Sequence, residues 1–90
     1  MSKDDFEVVL ARIKEKAASD WPDDYDMQLF EVQKQLDAMN TLGELIDQLS
    51  DDEEMMRIFL KARDDWPDDF DMQVFEINKQ LEARNALNQI

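Results

Sequence analysis

The fold of this chain follows from a stretch that reads DWPDDYDMQLFEVQKQLDAMNTL at residues 20–42 and occurs again as DWPDDFDMQVFEINKQLEARNAL at residues 65–87. The two segments, named copy 1 and copy 2, are 45 residues apart and identical at 16 of 23 positions. Most differences are conservative, such as Tyr25 against Phe70 and Val32 against Ile77. The repeat predicts a tandem duplication of one supersecondary unit, so the chain presents twice whatever surface one unit offers.

Composition and spacing predict an all-α protein. One Gly and two Pro leave few turn positions, and good helix formers fill most of the others. Ahead of each copy, apolar residues recur at helical spacing, from Phe6 to Ala17 and from Met55 to Ala62. Each copy also carries an apolar stripe with helical spacing. In copy 1 it consists of Trp21, Tyr25, Leu29, Val32, Leu36 and Met39, and in copy 2 of Trp66, Phe70, Val74, Ile77 and Leu81.

The Asp-Trp-Pro tract separates two helices in each half of the chain. Pro22 and Pro67 suit the first turn of a helix but not its interior, and Asp20 and Asp65 are good N-cap residues. We therefore expect helices at about 3–18, 21–41, 51–63 and 66–88, with the third one capped by Ser50. The Trp side chain of each tract is expected to close one end of the helix bundle.

An αα-hairpin cannot bury its apolar stripe alone, so two hairpins are expected to pack together. The expected architecture is one domain, residues 1–90, in which repeat 1 (about 1–45) and repeat 2 (about 46–90) form a four-helix bundle with pseudo-twofold symmetry. Residues 42–49 either extend the second helix or form a short bridging helix after a break at Gly43. In an alternative architecture two chains exchange hairpins to form a dimer, which a helix continuous through Gly43 would favour.

Charge and missing residue types narrow the classes of function. The 23 acidic residues against 10 basic ones give a net charge of −13, which disfavours direct binding to nucleic acid or to anionic membranes. The chain has neither Cys nor His, so disulfides, thiolate metal sites and the commonest general base are absent. No hydrophobic targeting core or membrane span is present, and a cytoplasmic location is expected. With no base near any Ser or Thr, neither an enzyme nor a cofactor site is predicted.

The acidic corner of each copy has the ligand spacing of an EF-hand calcium loop. In copy 1, oxygen-bearing side chains stand at loop positions 1, 5, 7, 9 and 12. Pro22 and Tyr25, however, replace a ligand and the turn glycine. Helix capping explains the same residues more simply, because Asp in a first turn satisfies free N–H groups. Weak binding of divalent cations remains an alternative function. The residues concerned are Asp20, Asp24, Asp26, Gln28 and Glu31, and in copy 2 Asp65, Asp69, Asp71, Gln73 and Glu76.

A second set of apolar residues in each copy lies off the main stripe. At about 100° per residue, Met27 and Phe30 point well away from Val32. They either contact a further helix of the bundle or bind a partner, for which Met is well suited. Together with the acidic corners they form the candidate interaction surface, which comprises Met27, Phe30, Met72, Phe75, Asp23, Asp24, Asp68 and Asp69.

These features favour a small acidic helical module for protein–protein interaction, an adaptor or regulator. Its partner would be a protein with a basic or apolar surface, or a second copy in a homodimer. The alternative is a nucleic-acid mimic, in which rows of carboxylates imitate phosphates and block a DNA- or RNA-binding protein. Acid concentrated on one continuous face would indicate mimicry, whereas acid spread over the helix N-termini would indicate capping.

Overall fold

The computed structural model describes residues 2–90, and over this range it confirms the all-α prediction. Four helices follow one another: α1 (Lys3–Asp20), α2 (Tyr25–Leu49), α3 (Glu53–Asp65) and α4 (Phe70–Asn88). None of the helices described combines the length and the apolarity that a bilayer crossing requires.

Side-chain caps define where the first and third helices begin. Ser2 caps α1, since the Asp5 N–H donates to Ser2 Oγ at 3.2 Å. The predicted cap of α3 is wrong by two residues. Asp52 rather than Ser50 accepts a hydrogen bond there, from the Met55 N–H at 3.1 Å. Its carboxylate is the stronger acceptor and stabilises the positive end of the helix dipole.

Each Asp-Trp-Pro corner is a tight turn rather than the start of a helix. The Asp24 N–H donates to the Trp21 carbonyl at 3.2 Å, with Pro22 and Asp23 at the two central positions. Asp23 has a φ of 61°, and Pro followed by a positive φ is typical of a type II turn. The predicted N-caps Asp20 and Asp65 are therefore wrong. Asp20 ends α1, and Asp24 caps α2 by accepting the Met27 N–H at 3.1 Å.

The corner of copy 2 repeats these contacts. Asp68 has a φ of 62°, and the Asp69 N–H donates to the Trp66 carbonyl at 3.2 Å. Asp69 caps α4 through the Met72 N–H at 3.1 Å. Both prolines thus lie in the turns that precede α2 and α4, and not in the first turns of these helices as the sequence predicts.

Helix α2 continues without a break through Gly43, so the predicted short bridging helix over residues 42–49 does not exist. A glycine inside a helix costs only about 1 kcal/mol. Burial of the apolar residues on either side of Gly43 offsets this cost, because they pack against the main core. These residues are Leu42, Leu45, Ile46 and Leu49.

The main core lies between α3, α4 and the C-terminal half of α2. Its buried centre consists of Met55, Phe59, Ala62 and Ile77. Close backbone packing joins α1 to α2, α2 to α4, α3 to α4 and α2 to α3. The resulting bundle is elongated, 50 × 28 × 18 Å, with a radius of gyration of 15.0 Å, whereas a compact chain of this length has about 12 Å.

The predicted stripe of copy 1 is only partly buried, since Val32, Leu36 and Met39 are half-buried. Gln35 and Ala38 are buried, whereas Tyr25 and Leu29 are 75% and 56% exposed. Gln35 and Ala38 each precede a stripe residue by one position, so they lie about 100° away from the stripe around the helix. This side of α2 is buried because α2 contacts three other helices, α1, α3 and α4.

The predicted pseudo-twofold symmetry is also wrong. A twofold axis would bury corresponding residues of the two copies alike. Gln35 is only 6% exposed, whereas its counterpart Gln80 lies on the surface. The contact between the hairpins therefore uses different faces of the two copies.

Candidate interaction surfaces

The Met–Phe pair of copy 1 lies at the surface of α2. Phe30 is 58% exposed, and Met27 is half-buried. Trp21, predicted to close the bundle, is 40% exposed. That prediction is wrong because the turn at residues 21–24 ends the helix before the indole can enter the core.

In copy 2, the corresponding residues form a shallow surface depression. Trp66 and Phe75, which are 38% and 60% exposed, line it together with half-buried Met72. The polar parts of Glu76, Lys79 and Gln80 border it, and its volume is about 170 Å³. The structure thus brings together two of the candidate residues predicted from the sequence and adds the tryptophan. We name the groups Trp21/Met27/Phe30 and Trp66/Met72/Phe75 the Met–Phe patches.

The four acidic candidates belong to the corners. Asp24 and Asp69 use one carboxylate oxygen each to cap a helix. Asp23 and Asp68 occupy the exposed third position of the turns, and Asp68 lies 3.6 Å from Arg12. These contacts show that the corner aspartates have structural roles, whatever else they bind.

A carboxyl pair behind each corner has opposite pKa shifts. Burial raises the pKa of Glu31 above the ordinary value, and the neighbouring Asp20 carboxyl raises it further. The hydrogen bond from Lys16, 2.7 Å away, lowers the pKa of Asp20. Glu31 Oε2 is buried and has no hydrogen-bond partner among the residues described. A proton on Glu31 would therefore be held in place by Asp20.

Copy 2 contains the same arrangement. Burial raises the pKa of Glu76, and the hydrogen bond from Lys61 lowers that of Asp65. A lysine ammonium thus lies against each pair, where a cation-binding loop would hold its ion. In residues 2–90 no group of three or more acidic side chains is arranged to hold a metal ion.

A buried glutamine joins the two hairpins. The side chain of Gln35 on α2 reaches the start of α4, where its Oε1 accepts the Phe70 N–H at 2.7 Å and the Asp71 N–H at 3.3 Å. Its Nε2 donates to Asp69 Oδ1 at 3.0 Å. Because the first N–H groups of a helix have no partner within it, this amide completes the N-terminus of α4 from outside.

Two ion pairs flank this glutamine. Lys34 Nζ lies 3.8 Å from Asp71 Oδ2, and Arg12 Nη1 lies 3.6 Å from Asp68 Oδ1. Both pairs are exposed, so each stabilises the contact by at most about 1 kcal/mol. Together with Gln35 they form the polar part of the contact between the hairpins, which we name the corner contact.

Sequence reasoning did not identify the corner contact. The available signal was that several polar residues are identical in the two copies, among them Gln28/Gln73, Lys34/Lys79 and Gln35/Gln80. The first of these pairs acts within the hairpins, where Gln28 Nε2 and Gln73 Nε2 each donate to a Trp carbonyl at 2.8 Å. Identity alone could not show which pair connects the two hairpins.

An apolar groove lies beside the corner contact. Its volume is about 410 Å³, and its wall is mainly apolar. Residues from all four helices line it, including Val9, Leu42, Ile46, Phe59 and Phe70.

The function of this chain has to be inferred from its sequence and structure. Comparisons with protein-family models, with curated proteins and with solved structures find no match to this chain.

Proposed function

We propose that this chain is a small acidic helical module for protein–protein interaction, an adaptor or regulator without catalytic activity. In this proposal the chain is a tandem duplication of one helical hairpin and acts in the cytoplasm. Its two Met–Phe patches bind a protein partner whose surface is apolar at the centre and basic at the rim.

The exposure of the two phenylalanines carries the proposal. Phe30 and Phe75 are 58% and 60% exposed, and they lie at corresponding positions of α2 and α4. Met is typical of adaptable binding surfaces. Trp and Phe are enriched in protein–protein interfaces compared with the rest of the protein surface. Leaving two such patches in water has no benefit for the fold itself.

Charge supports a basic rim on the partner. The net charge of −13 gives the whole surface a negative potential that attracts basic proteins and speeds their association. Nine of the 23 acidic residues lie at helix N-termini: Asp24, Asp52 and Asp69 are caps, and six others occupy the first turns. Helix capping and the helix dipole explain the positions of these nine residues without mimicry of a nucleic acid.

The test compares binding by three versions of the chain. The immobilised wild-type chain, the double variant Phe30→Ala/Phe75→Ala and the control Val8→Ala would be exposed to cell extract, and retained proteins would be quantified by mass spectrometry. Val8 is a good control because it is apolar, 52% exposed and located on α1. We expect a partner that the wild type and the control retain and the double variant loses.

Salt dependence separates the two parts of the interaction. If the centre of the interface is apolar, binding should weaken only moderately as salt rises, because screening acts on the rim alone. Retention of the same proteins by all three versions, or by none of them, would contradict the proposal.

A further inference from the structure

We propose that this chain binds a second copy of itself head to tail, repeating between molecules the corner contact that joins the two hairpins within one molecule. Within the chain, this contact joins a face of α2 to the corner of copy 2. The corresponding face of α4 and the corner of copy 1 make no such contact, and we call them the unused face and the unused corner.

The unused face on α4 corresponds to a buried face on α2. Gln35 and Ala38 are 6% and 7% exposed, and Leu42 packs against the core. Their counterparts in copy 2 are all exposed, and Leu87 is 70% exposed. The exposed set is spaced i, i+3, i+7, so it lies on one side of the helix. It consists of Gln80, Ala83 and Leu87.

The unused corner belongs to copy 1. Tyr25 and Leu29 are 75% and 56% exposed, whereas their counterparts Phe70 and Val74 are half-buried. The two corners have the same turn and the same capping hydrogen bonds. What differs is that α2 covers the corner of copy 2, whereas among residues 2–90 no helix covers Tyr25 at the corner of copy 1 in the same way.

The polar pairs of the corner contact are all available for a second contact. Gln35 has its counterpart in Gln80, and the start of α4 has its counterpart in the start of α2. The ion pair Lys34–Asp71 corresponds to Lys79 and Asp26, and the pair Arg12–Asp68 corresponds to Arg57 and Asp23. The second contact would therefore have the same hydrogen-bond donors and acceptors as the corner contact. Its amide and basic groups lie in the second half of the chain, and its acidic groups lie in the first half.

The contact between molecules would be weaker than the one within the chain. Lys14 stands where copy 2 has the buried Phe59. Less apolar surface is therefore available, and the covalent connection between the hairpins has no equivalent.

When two chains bind through two different faces, the pair still has one free face of each kind. Repeated from chain to chain, the contact gives a ring or an open row of molecules, not a dimer with twofold symmetry. Repeat proteins stack their units in this way, with each unit touching only its neighbours. Lys79 and Gln80 also border the Met–Phe patch of copy 2. The Met–Phe patch of copy 1 takes no part in this contact, so a change at Phe30 distinguishes the proposal from the proposed function.

The first experiment measures mass against concentration. Sedimentation velocity at about 0.15 M salt, where the Debye length is about 8 Å, limits the long-range repulsion between acidic chains. From about 10 μM to about 1 mM we expect the weight-average mass to rise from 10.7 kDa past twice that value without a plateau at the dimer. Gln80→Ala should weaken association by at least about tenfold while the chain stays folded by circular dichroism.

A charge exchange tests whether the two ends meet. Lys79→Asp places two carboxylates opposite each other at the proposed contact, and Asp26→Lys places two ammonium groups there. Each variant alone should remain at 10.7 kDa, and an equimolar mixture should regain association because the altered ends are complementary.

Three results would overturn the proposal. They are a wild-type mass that stays at that of one chain, a plateau at two chains, and a mixture of the charge variants that fails to associate although each is folded. The single variant Phe30→Ala should associate as the wild type does. Loss of association in that variant would assign self-association to the Met–Phe patch of copy 1 and would also contradict the head-to-tail contact.

Discussion

Replacing Gln35 by Ala tests whether the corner contact stabilises the fold. Gln35 makes three hydrogen bonds to the start of α4, at 2.7, 3.0 and 3.3 Å, and its side chain is buried. Gln80 has the same sequence surroundings and is exposed. The pair Gln35→Ala and Gln80→Ala therefore changes the same residue type at corresponding positions, with and without the contact.

The expected loss follows from the hydrogen bonds. Each of the two shorter bonds contributes about 1 kcal/mol net, and the bond at 3.3 Å contributes less. Truncation also leaves the Phe70 N–H poorly hydrated, which adds to the cost. The free energy of unfolding should fall by about 2 to 3 kcal/mol, which lowers Tm by about 10 to 15 °C in a domain of this size. Gln80→Ala should change the stability by no more than about 0.5 kcal/mol.

Urea and thermal unfolding followed by circular dichroism measure both variants. Protein should be kept at about 5 μM, so that self-association contributes little. A further variant, Gln35→Glu, keeps the acceptor for the Phe70 N–H but places a carboxylate where the amide group lies 3.0 Å from Asp69 Oδ1. It should be less stable than the wild type at pH 7 and should recover as the pH falls and the new carboxyl is protonated.

Equal effects of Gln35→Ala and Gln80→Ala would refute this reasoning. So would a loss below about 0.5 kcal/mol for Gln35→Ala, which is typical of surface positions. In either case the two hairpins would be held together by apolar packing alone. The corner contact would then be a poor guide to association between chains.

Two further predictions concern the carboxyl pairs and the long helix. Because the folded-state pKa of Glu31 and of Glu76 lies above the ordinary value of 4.5, proton uptake by these groups favours the folded state. Tm should therefore rise as the pH falls from 7 towards 4.5, and fall again below about 3.8, where the stabilising charge of Asp20 is lost. The double variant Glu31→Gln/Glu76→Gln should show a smaller rise, and a rise identical to that of the wild type would contradict this assignment. Gly43→Ala should stabilise the chain by about 0.5 to 1 kcal/mol, because a methyl group at this position meets nothing within 4 Å and glycine is the weaker helix former. Lower stability of Gly43→Ala in thermal unfolding would indicate that α2 bends at this residue.

Local signals in the sequence were sufficient for part of the fold. Helical periodicity and the scarcity of Gly and Pro predict the four helices, and Ser2 is the cap that its position indicates. The corners were placed correctly along the chain, but the caps were assigned to Asp20 and Asp65 instead of Asp24 and Asp69. Both assignments satisfy local rules. The choice depends on a turn with a positive φ at Asp23, which the sequence does not specify for a non-glycine residue.

The buried face of α2 and the path through Gly43 depend on contacts between helices. Tyr25 and Leu29 belong to the apolar stripe, yet they are 75% and 56% exposed. Gln35 is polar, yet it is buried because the start of α4 supplies partners for its amide. Hydrophobic periodicity cannot detect such a residue, because it records polarity and not the partner that satisfies it.

For the candidate interaction surface, too, the sequence predicts one part and the tertiary structure decides the other. The sequence identified Phe30 and Phe75 as residues outside the main stripe, but it left open whether another helix covers them. The structure leaves both more than half exposed. It also places Trp66 beside Phe75 at the surface. The sequence predicts instead that Trp66 belongs to the core.

By itself the sequence determined the helical content, the two corners, the repeat of 45 residues and the strongly acidic surface, since these depend on local propensity, spacing and composition. Tertiary structure alone decided that Gln35 is buried and Gln80 is exposed. The physical reason is that identical side chains have different free energies when one meets free N–H groups of a neighbouring helix and the other meets only water.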